Sequence, residues 1–273
     1  MNPIHLAITA LWVFAALSIF MAAAWLAQRR SGNSGWVDVS WSLGVGASAA
    51  IAALLPLREG WPNLRQFAIA IVAMCWCLRL GFHIARRTLS GKDDPRYRNL
   101  IDQWGVDAAR RMFWFLQSQA IVGALLSVSM AIAAHNPNPT LRLQDLGGLA
   151  VLLVAVIGEA IADRQLAVFR ADSARRRAIC NLGLWSWSRH PNYFFEWLFW
   201  LGVPILAIDF SGHYPLGWVT LGAPICMYWI LVHVSGIPPL ESHMLRSRGD
   251  AFREYQNRTS AFFPFPPTWT ENS

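Results

Sequence analysis

Residues 4–28 contain no Asp, Glu, Lys or Arg, and further uncharged apolar runs recur along the chain. About 20 such residues suffice to cross a hydrocarbon core as a helix. No water is available there, so each backbone N–H and C=O must be satisfied inside the segment, which selects the α-helix. Charged residues make up 14% of the chain, hydrophobic residues 55%, and mean hydropathy is +0.32. Ordinary soluble domains carry about 25% charge. A disordered chain, a collagen-like repeat and a disulfide scaffold are excluded by the same composition. The expected fold class is all-α, a polytopic membrane protein, with a single integral membrane domain over 1–273.

Seven spans are expected, at about 4–28, 36–57, 64–88, 112–134, 145–169, 192–210 and 213–236. The first lacks a basic segment ahead of it, and Arg29 and Arg30 follow it, so it reads as a span and not as a signal peptide. Segments 29–35, 86–111 and 168–191 and the tail after 236 together hold 18 of the 23 cations. Lys92 and Arg175, Arg176 and Arg177 are among them. The opposite loops hold only Arg58, Arg65 and Arg142. Seven spans put all four basic segments on one side, which the positive-inside rule makes cytoplasmic. The N-terminus is then outside and the C-terminus cytoplasmic. The net charge of +7 is accounted for by those loops, and no nucleic acid partner is expected. Lys92 is the only lysine, and arginine favours fork-like recognition of phosphate or carboxylate. Cys75, Cys77, Cys180 and Cys226 have no zinc or disulfide spacing. No metal is expected.

Ionisable groups at membrane depth are costly and are functional candidates for that reason. Asp38 stands near the start of the second span. Glu159 and Asp163 are four apart on the fifth and share a face, with Arg164 and Arg170 after them. Glu196 lies on the sixth, one turn beyond Asn192. Arg79 and His83 are four apart on the third, and Gln117 and Gln119 lie in the fourth. Each also fits an interhelical hydrogen bond. The carboxylates gather toward the cytoplasmic half, which points to a polar cavity opening on that side. Arg189, His190, Asn192 and Tyr193 cluster where Pro191 opens the sixth helix. Such a terminus suits an anion, or an interfacial anchor. After the last span come Glu241 and His243, a short amphipathic helix, then Tyr255, Arg258 and a Pro-rich end (Phe262 to Pro267) that reads as an extended tail.

The run Arg189-His190-Pro191-Asn192-Tyr193, then Glu196, then Glu241, Phe252 to Tyr255 and Pro264, resembles the membrane steroid 5α-reductase family. The loop Asp93-Asp94-Pro95-Arg96-Tyr97 and the run Ser235 to Glu241 resemble its bacterial branch, once catalogued as a domain of unknown function. The likeness covers nearly the whole chain and is strongest over 155–265. It implies seven membrane helices and NADPH bound from the cytoplasmic side. It also implies reduction of the C4–C5 double bond of a 3-oxo-Δ4-steroid, or a similar lipid enone entering from the bilayer, by a monomer in a bacterial inner membrane. Asp163, Asn192, Glu196 and Tyr255 match cofactor ligands of the family. Its Gln-Glu pair on the second helix is missing, and Asp38 is the only acid there. Its tyrosine on the third helix has no counterpart, and Arg79 and His83 are the nearest polar residues.

The catalytic candidates are therefore Asp38, Arg79 and His83. The cofactor candidates are Tyr97, Arg98, Asp163, Arg164, Arg170, Arg189, His190, Asn192, Tyr193, Glu196, Glu241, His243, Tyr255 and Arg258, with Tyr97 and Arg98 closing over it. No Gly-x-Gly-x-x-Gly opens a helix after a strand, so a dinucleotide would be held by helix ends and loops. Two alternatives stay open. Membrane methyltransferases that modify isoprenylcysteine carboxylates, using S-adenosylmethionine, are similar in an Arg-His-Pro-x-Tyr run. A non-enzymatic lipid-binding protein fits the composition.

Overall fold

The computed structural model describes residues 3–57, 62–89, 94–172, 174 and 178–267. Arg58, Lys92, Asp93 and Arg175 to Arg177, used above for topology and motif, lie outside the described residues. The described chain is helical: α1 Pro3–Ser31, α2 Gly35–Ala53, α3 Leu64–Leu89, α4 Pro95–Trp104, α5 Ala108–Ala134, α6 Leu143–Ala171, α7 Pro191–Ala207, α8 Gly222–Trp229, α9 Ile237–Arg248 and α10 Asp250–Arg258. Among the described residues the only β-type pairing is an isolated bridge between Ser188 and Ser260.

Helices stand at all seven expected positions. Five segments are long and apolar enough to cross a membrane: α1, α3, α6, Arg96–Ala134 (which runs from α4 through α5) and Pro215–Arg248. α2 and α7 are helices of 19 and 17 residues and are not among the five. For α2 the reason is packing. Its buried residues are mostly Gly, Ala, Ser and Val, which let neighbours approach closely at the expense of hydropathy. A Cβ on Gly46 would stand 2.1 Å from the Cys77 Cβ of α3. α2 packs on α1, α3 and α5.

The chain falls into two compact units, residues 1–149 with 202–223, and residues 150–201 with 224–273. In the first unit, α1 buries Val13, Leu17, Met21, Ala24 and Gln28, one face at helical spacing. Its other side leaves Leu11, Trp12 and Ile19 exposed, which fits a helix long and apolar enough to cross a membrane.

At the C-terminal end of α5 a polar clamp closes this unit. The Arg65 guanidinium donates to Asp145 Oδ2 at 2.6 Å, to the carbonyls of Asn138 and Thr140 at 2.6 and 3.0 Å, and to that of Asn136 at 3.3 Å. Its side chain is 3% exposed and that of Asp145 0%. Arg142 grips the other carboxylate oxygen at 2.8 Å and reaches the carbonyls of Leu206 and Ile208. Asn136 and Gln144 cover the remaining carbonyls at the end of α7. Helix-terminal C=O groups need such partners, and the chain supplies them from side chains.

In the second unit the Pro-rich end is extended, as expected, and lies on residues 187–189. Arg189 N–H donates to Ser260 C=O at 2.8 Å, and Phe265 N–H to Trp187 C=O at 3.0 Å. The Trp185 indole donates to Ala162 C=O of α6 at 2.9 Å. Gly183 takes φ 59°, and a Cβ there would collide with the Gln165 amide that holds Leu184 N–H.

Removing one partner of a buried ion pair strands the other charge, at a cost of about 3–5 kcal/mol. Asp145→Asn is expected to destabilise the protein by an amount of this order, read as a lowered unfolding midpoint in detergent. An unchanged midpoint would show that the clamp does not hold the fold.

Candidate functional site

Two polar clusters stand out, one in each unit. The first is assembled by α2, α4 and α5. Asp94 caps α4: its Oδ1 accepts the Arg96 backbone N–H at 2.9 Å, and Pro95 opens the helix. This start directs Arg96 and Tyr97 at the first turn of α2. Asp38 Oδ2 accepts from Arg96 Nη2 at 2.6 Å, and Oδ1 accepts from the Tyr97 hydroxyl at 2.6 Å. Arg96 and Arg87 also grip Asp94, each at 2.9 Å. Burial alone would raise the Asp94 carboxyl, but the Arg96 hydrogen bond and the charges of Arg96 and Arg87 outweigh it and hold it below the usual range.

Gln119 of α5 donates to the Tyr97 hydroxyl oxygen at 3.3 Å. The Gln119 Oε1 is buried with no hydrogen-bond partner among the described residues. Tyr97 is itself 4% exposed, its ring edge-on to Phe115. The expected catalytic trio is thus regrouped. Asp38 is central, but its partners are Arg96 and Tyr97, whereas Arg79 and His83 lie half-buried on α3. Tyr97 occupies the place beside the acid for which sequence offered only those two. Arg98, one residue on, is exposed.

The second cluster gathers the motif residues 189–190 and the acid at 241. Glu241 Oε1 accepts from Arg189 Nε at 2.7 Å and from His190 Nε2 at 3.0 Å. Its Oε2 accepts from Gln256 Nε2 at 2.7 Å and from Arg189 Nη2 at 3.2 Å. Arg189 Nη1 donates to the carbonyls of Gln256 and Thr259. The Tyr255 hydroxyl donates to Trp185 C=O, and burial raises its phenol, keeping it protonated. Three expected cofactor ligands, Arg189, Glu241 and Tyr255, are therefore engaged in tying the tail to the residues before α7. Arg258 pairs with Glu254 on α10.

The remaining candidates are placed differently. Asp163 of α6 and Glu196 of α7 are buried, and Glu196 accepts from the Trp200 indole at 2.9 Å. Asn192 and Tyr193 are half-buried at the start of α7, and the Tyr193 ring stacks on that of His190, 9° from parallel. Arg164, Arg170 and His243 are exposed. The carboxylate of Glu241 puts the His190 ring proton on Nε2. His190 Nδ1 is then an acceptor, buried and without a partner among the described residues.

Burial pushes the His190 imidazole below its ordinary value of 6.5. Glu241 opposes this by hydrogen bond and charge, and Arg189 reinforces it. The unfolded chain therefore binds this proton more readily than the folded one, so stability rises with pH across that range. The unfolding midpoint is expected to fall as pH drops below 6.5, and the fall should be shallower in His190→Asn. Equal slopes in the two proteins would remove His190 as the source.

A family model described as a protein of unknown function, DUF1295, matches residues 24–259. No curated protein and no solved structure matches the chain. With that match covering most of its length, the chain belongs to the DUF1295 family.

Proposed function

We propose that the protein is a seven-span membrane reductase, N-terminus outside and C-terminus cytoplasmic, that uses NADPH to saturate the C4–C5 double bond of a 3-oxo-Δ4-steroid or a similar lipid enone. The kinship of its family with steroid 5α-reductase-like proteins supports this reading. The observation that carries it is the Tyr97 hydroxyl donating to Asp38, beside the buried amide of Gln119.

The polar groups of the second unit fit the cofactor chemically. Exposed Arg164 and Arg170 suit its phosphates. Asp163, Asn192 and Glu196 suit its hydroxyl and amide groups, and the orphaned His190 Nδ1 is an acceptor awaiting a donor. When bound, the cofactor would supply the hydride for the β-carbon of the enone.

The chain's own residues manage the charge that then develops on the carbonyl oxygen. Asp38 accepts from both Arg96 and Tyr97, so the O–H of the pair belongs to Tyr97. On substrate binding the single Tyr97 hydroxyl proton would turn from Asp38 to the carbonyl oxygen and stabilise the developing enolate. Asp38, fixed by Arg96, would position that hydroxyl. The α-carbon would then take a proton from water, the enolate electrons returning to re-form the carbonyl, which completes the reduction. An apolar substrate reaches this chemistry from lipid.

NADPH oxidation by purified protein in detergent tests the reading, with and without progesterone or testosterone and with the product identified by mass. Steroid-dependent oxidation giving a product two hydrogens heavier is the expected result. Binding of S-adenosylmethionine instead of NADPH would overturn it. Tyr97→Phe is expected to lower kcat by about 10²–10⁴, the usual worth of a positioned acid, while leaving NADPH affinity unchanged. Asn192→Ala should do the reverse, weakening NADPH about 2–10-fold for one lost hydrogen bond.

A further inference from the structure

Where the C-terminal end of α1 meets the N-terminal end of α5, the first unit has two adjoining open clefts that the proposed reaction does not use. One, of about 460 Å³, is lined by Trp104, Asp107, Arg110, Arg111 and Trp114. The other, of about 450 Å³, is lined by Trp25, Arg29, Ala109, Arg110 and Phe113. Arg110 faces both. The junction is built: the Trp25 indole donates to Ala109 C=O at 2.9 Å, Phe113 meets the Trp25 ring edge-on at 5.4 Å, and the Arg29 guanidinium lies over that ring at 4.9 Å.

Arg29, Arg110 and Arg111 form no ion pair with any described residue. Asp107 is the one carboxylate among the lining residues. Arg110 and Arg111 do not stabilise their own helix, because they stand in its first turn, where the helix dipole disfavours a cation. The depth of the clefts then selects the ligand. Both α1 and the segment Arg96–Ala134, of which α5 is part, have the length and hydropathy of spans, and this junction is where α1 ends and α5 begins. At a span's end the surroundings are headgroups, and tryptophans flanking arginines are the residues found there. Trp114 is 64% exposed, outside the protein core and available to that layer.

We infer that these clefts bind the phosphate headgroup of an anionic phospholipid, with Arg110 shared between them and the tryptophans lying along the glycerol and upper chains. Basic pockets between helices at this depth recognise such headgroups, each cation near the surface contributing about fivefold in affinity. The inference stands on the charge and depth of the clefts and is independent of the proposed reaction.

The test is delipidated protein in detergent titrated with dioleoyl-phosphatidylglycerol or dioleoyl-phosphatidylcholine, read by unfolding midpoint and by lipid adducts in native mass spectrometry. The expected result is a rise in midpoint and a retained adduct with phosphatidylglycerol, several-fold tighter than with phosphatidylcholine. Arg110→Gln should reduce that preference about fivefold, and Arg29→Gln with Arg111→Gln should reduce it further. Arg253→Gln, which breaks an exposed pair with Asp250, should leave it intact. Equal response to the two lipids would overturn the inference, as would an unaltered preference in the Arg110→Gln protein. Inorganic phosphate reproducing the effect at equal concentration would overturn it too, since the site would then be one for free anions.

Discussion

A polar side chain buried in a protein surrounded by hydrocarbon cannot turn to water for a hydrogen bond. Its partner must come from the chain, and that demand shapes how helix ends meet in this molecule. Apolar surface has no preference between lipid and protein here, so leucine and isoleucine can lie outside, as on α1. What determines which helix ends meet is the satisfaction of a few buried charges and carbonyls. Arg65 shows the logic. Its guanidinium has one carboxylate, Asp145, and otherwise points at backbone carbonyls after α5. Arg142, Asn136 and Gln144 then complete the carbonyls that end α7. One ion pair thereby binds α3, α6 and the segment between α5 and α6 to the end of α7.

The same reasoning separates two kinds of polar cluster. Around Glu241 nearly every donor and acceptor is matched: both carboxylate oxygens take two hydrogen bonds, and both terminal nitrogens of Arg189 and its Nε donate. A set closed in this way holds the tail and, among the described residues, leaves a ligand one buried acceptor, His190 Nδ1. Around Asp38 the set is open. Gln119 Oε1 is orphaned and the Tyr97 oxygen still has a lone pair. Orphaned buried acceptors are costly unless something comes to meet them. Openness of this kind marks the cluster where chemistry is to be sought.

Helix positions were legible from sequence because hydropathy is a local property: the runs at 4–28, 64–88 and 145–169 sit within α1, α3 and α6. The extended tail after Phe262 was legible for the same reason, through its prolines. Long-range pairing was not. Tyr97 and Asp38 are separated by 59 residues, and Arg65 and Asp145 by 80. Nothing in the spacing of either pair announces it. Arg65 and Arg142 entered the sequence argument only as stray cations on the poorly charged side. The carbonyls that need them have no sequence signature, since every residue carries one. α2 stands where the run at 36–57 put it, yet its glycines and serines lower its hydropathy, and they pack against α1, α3 and α5.

These considerations also explain why a motif can be shared by proteins with different cofactors. The run Arg189-His190-Pro191 with a distant acid resembles both reductases and methyltransferases. In this fold the acid and the arginine close on each other and on the carbonyls of Gln256 and Thr259. A staple that shapes the start of α7 and anchors the tail is useful whatever is bound nearby, so its presence says little about which cofactor is used. Discrimination falls to groups outside the staple. Two phosphates and a 2′-phosphate call for cations that are not already paired within the fold, whereas a phosphate-free sulfonium cofactor calls for none. Exposed Arg164, one residue beyond Asp163 on α6, meets the first requirement. On this chain the case for a nicotinamide cofactor therefore rests on cations outside the motif, and the motif supplies the scaffold against which they act.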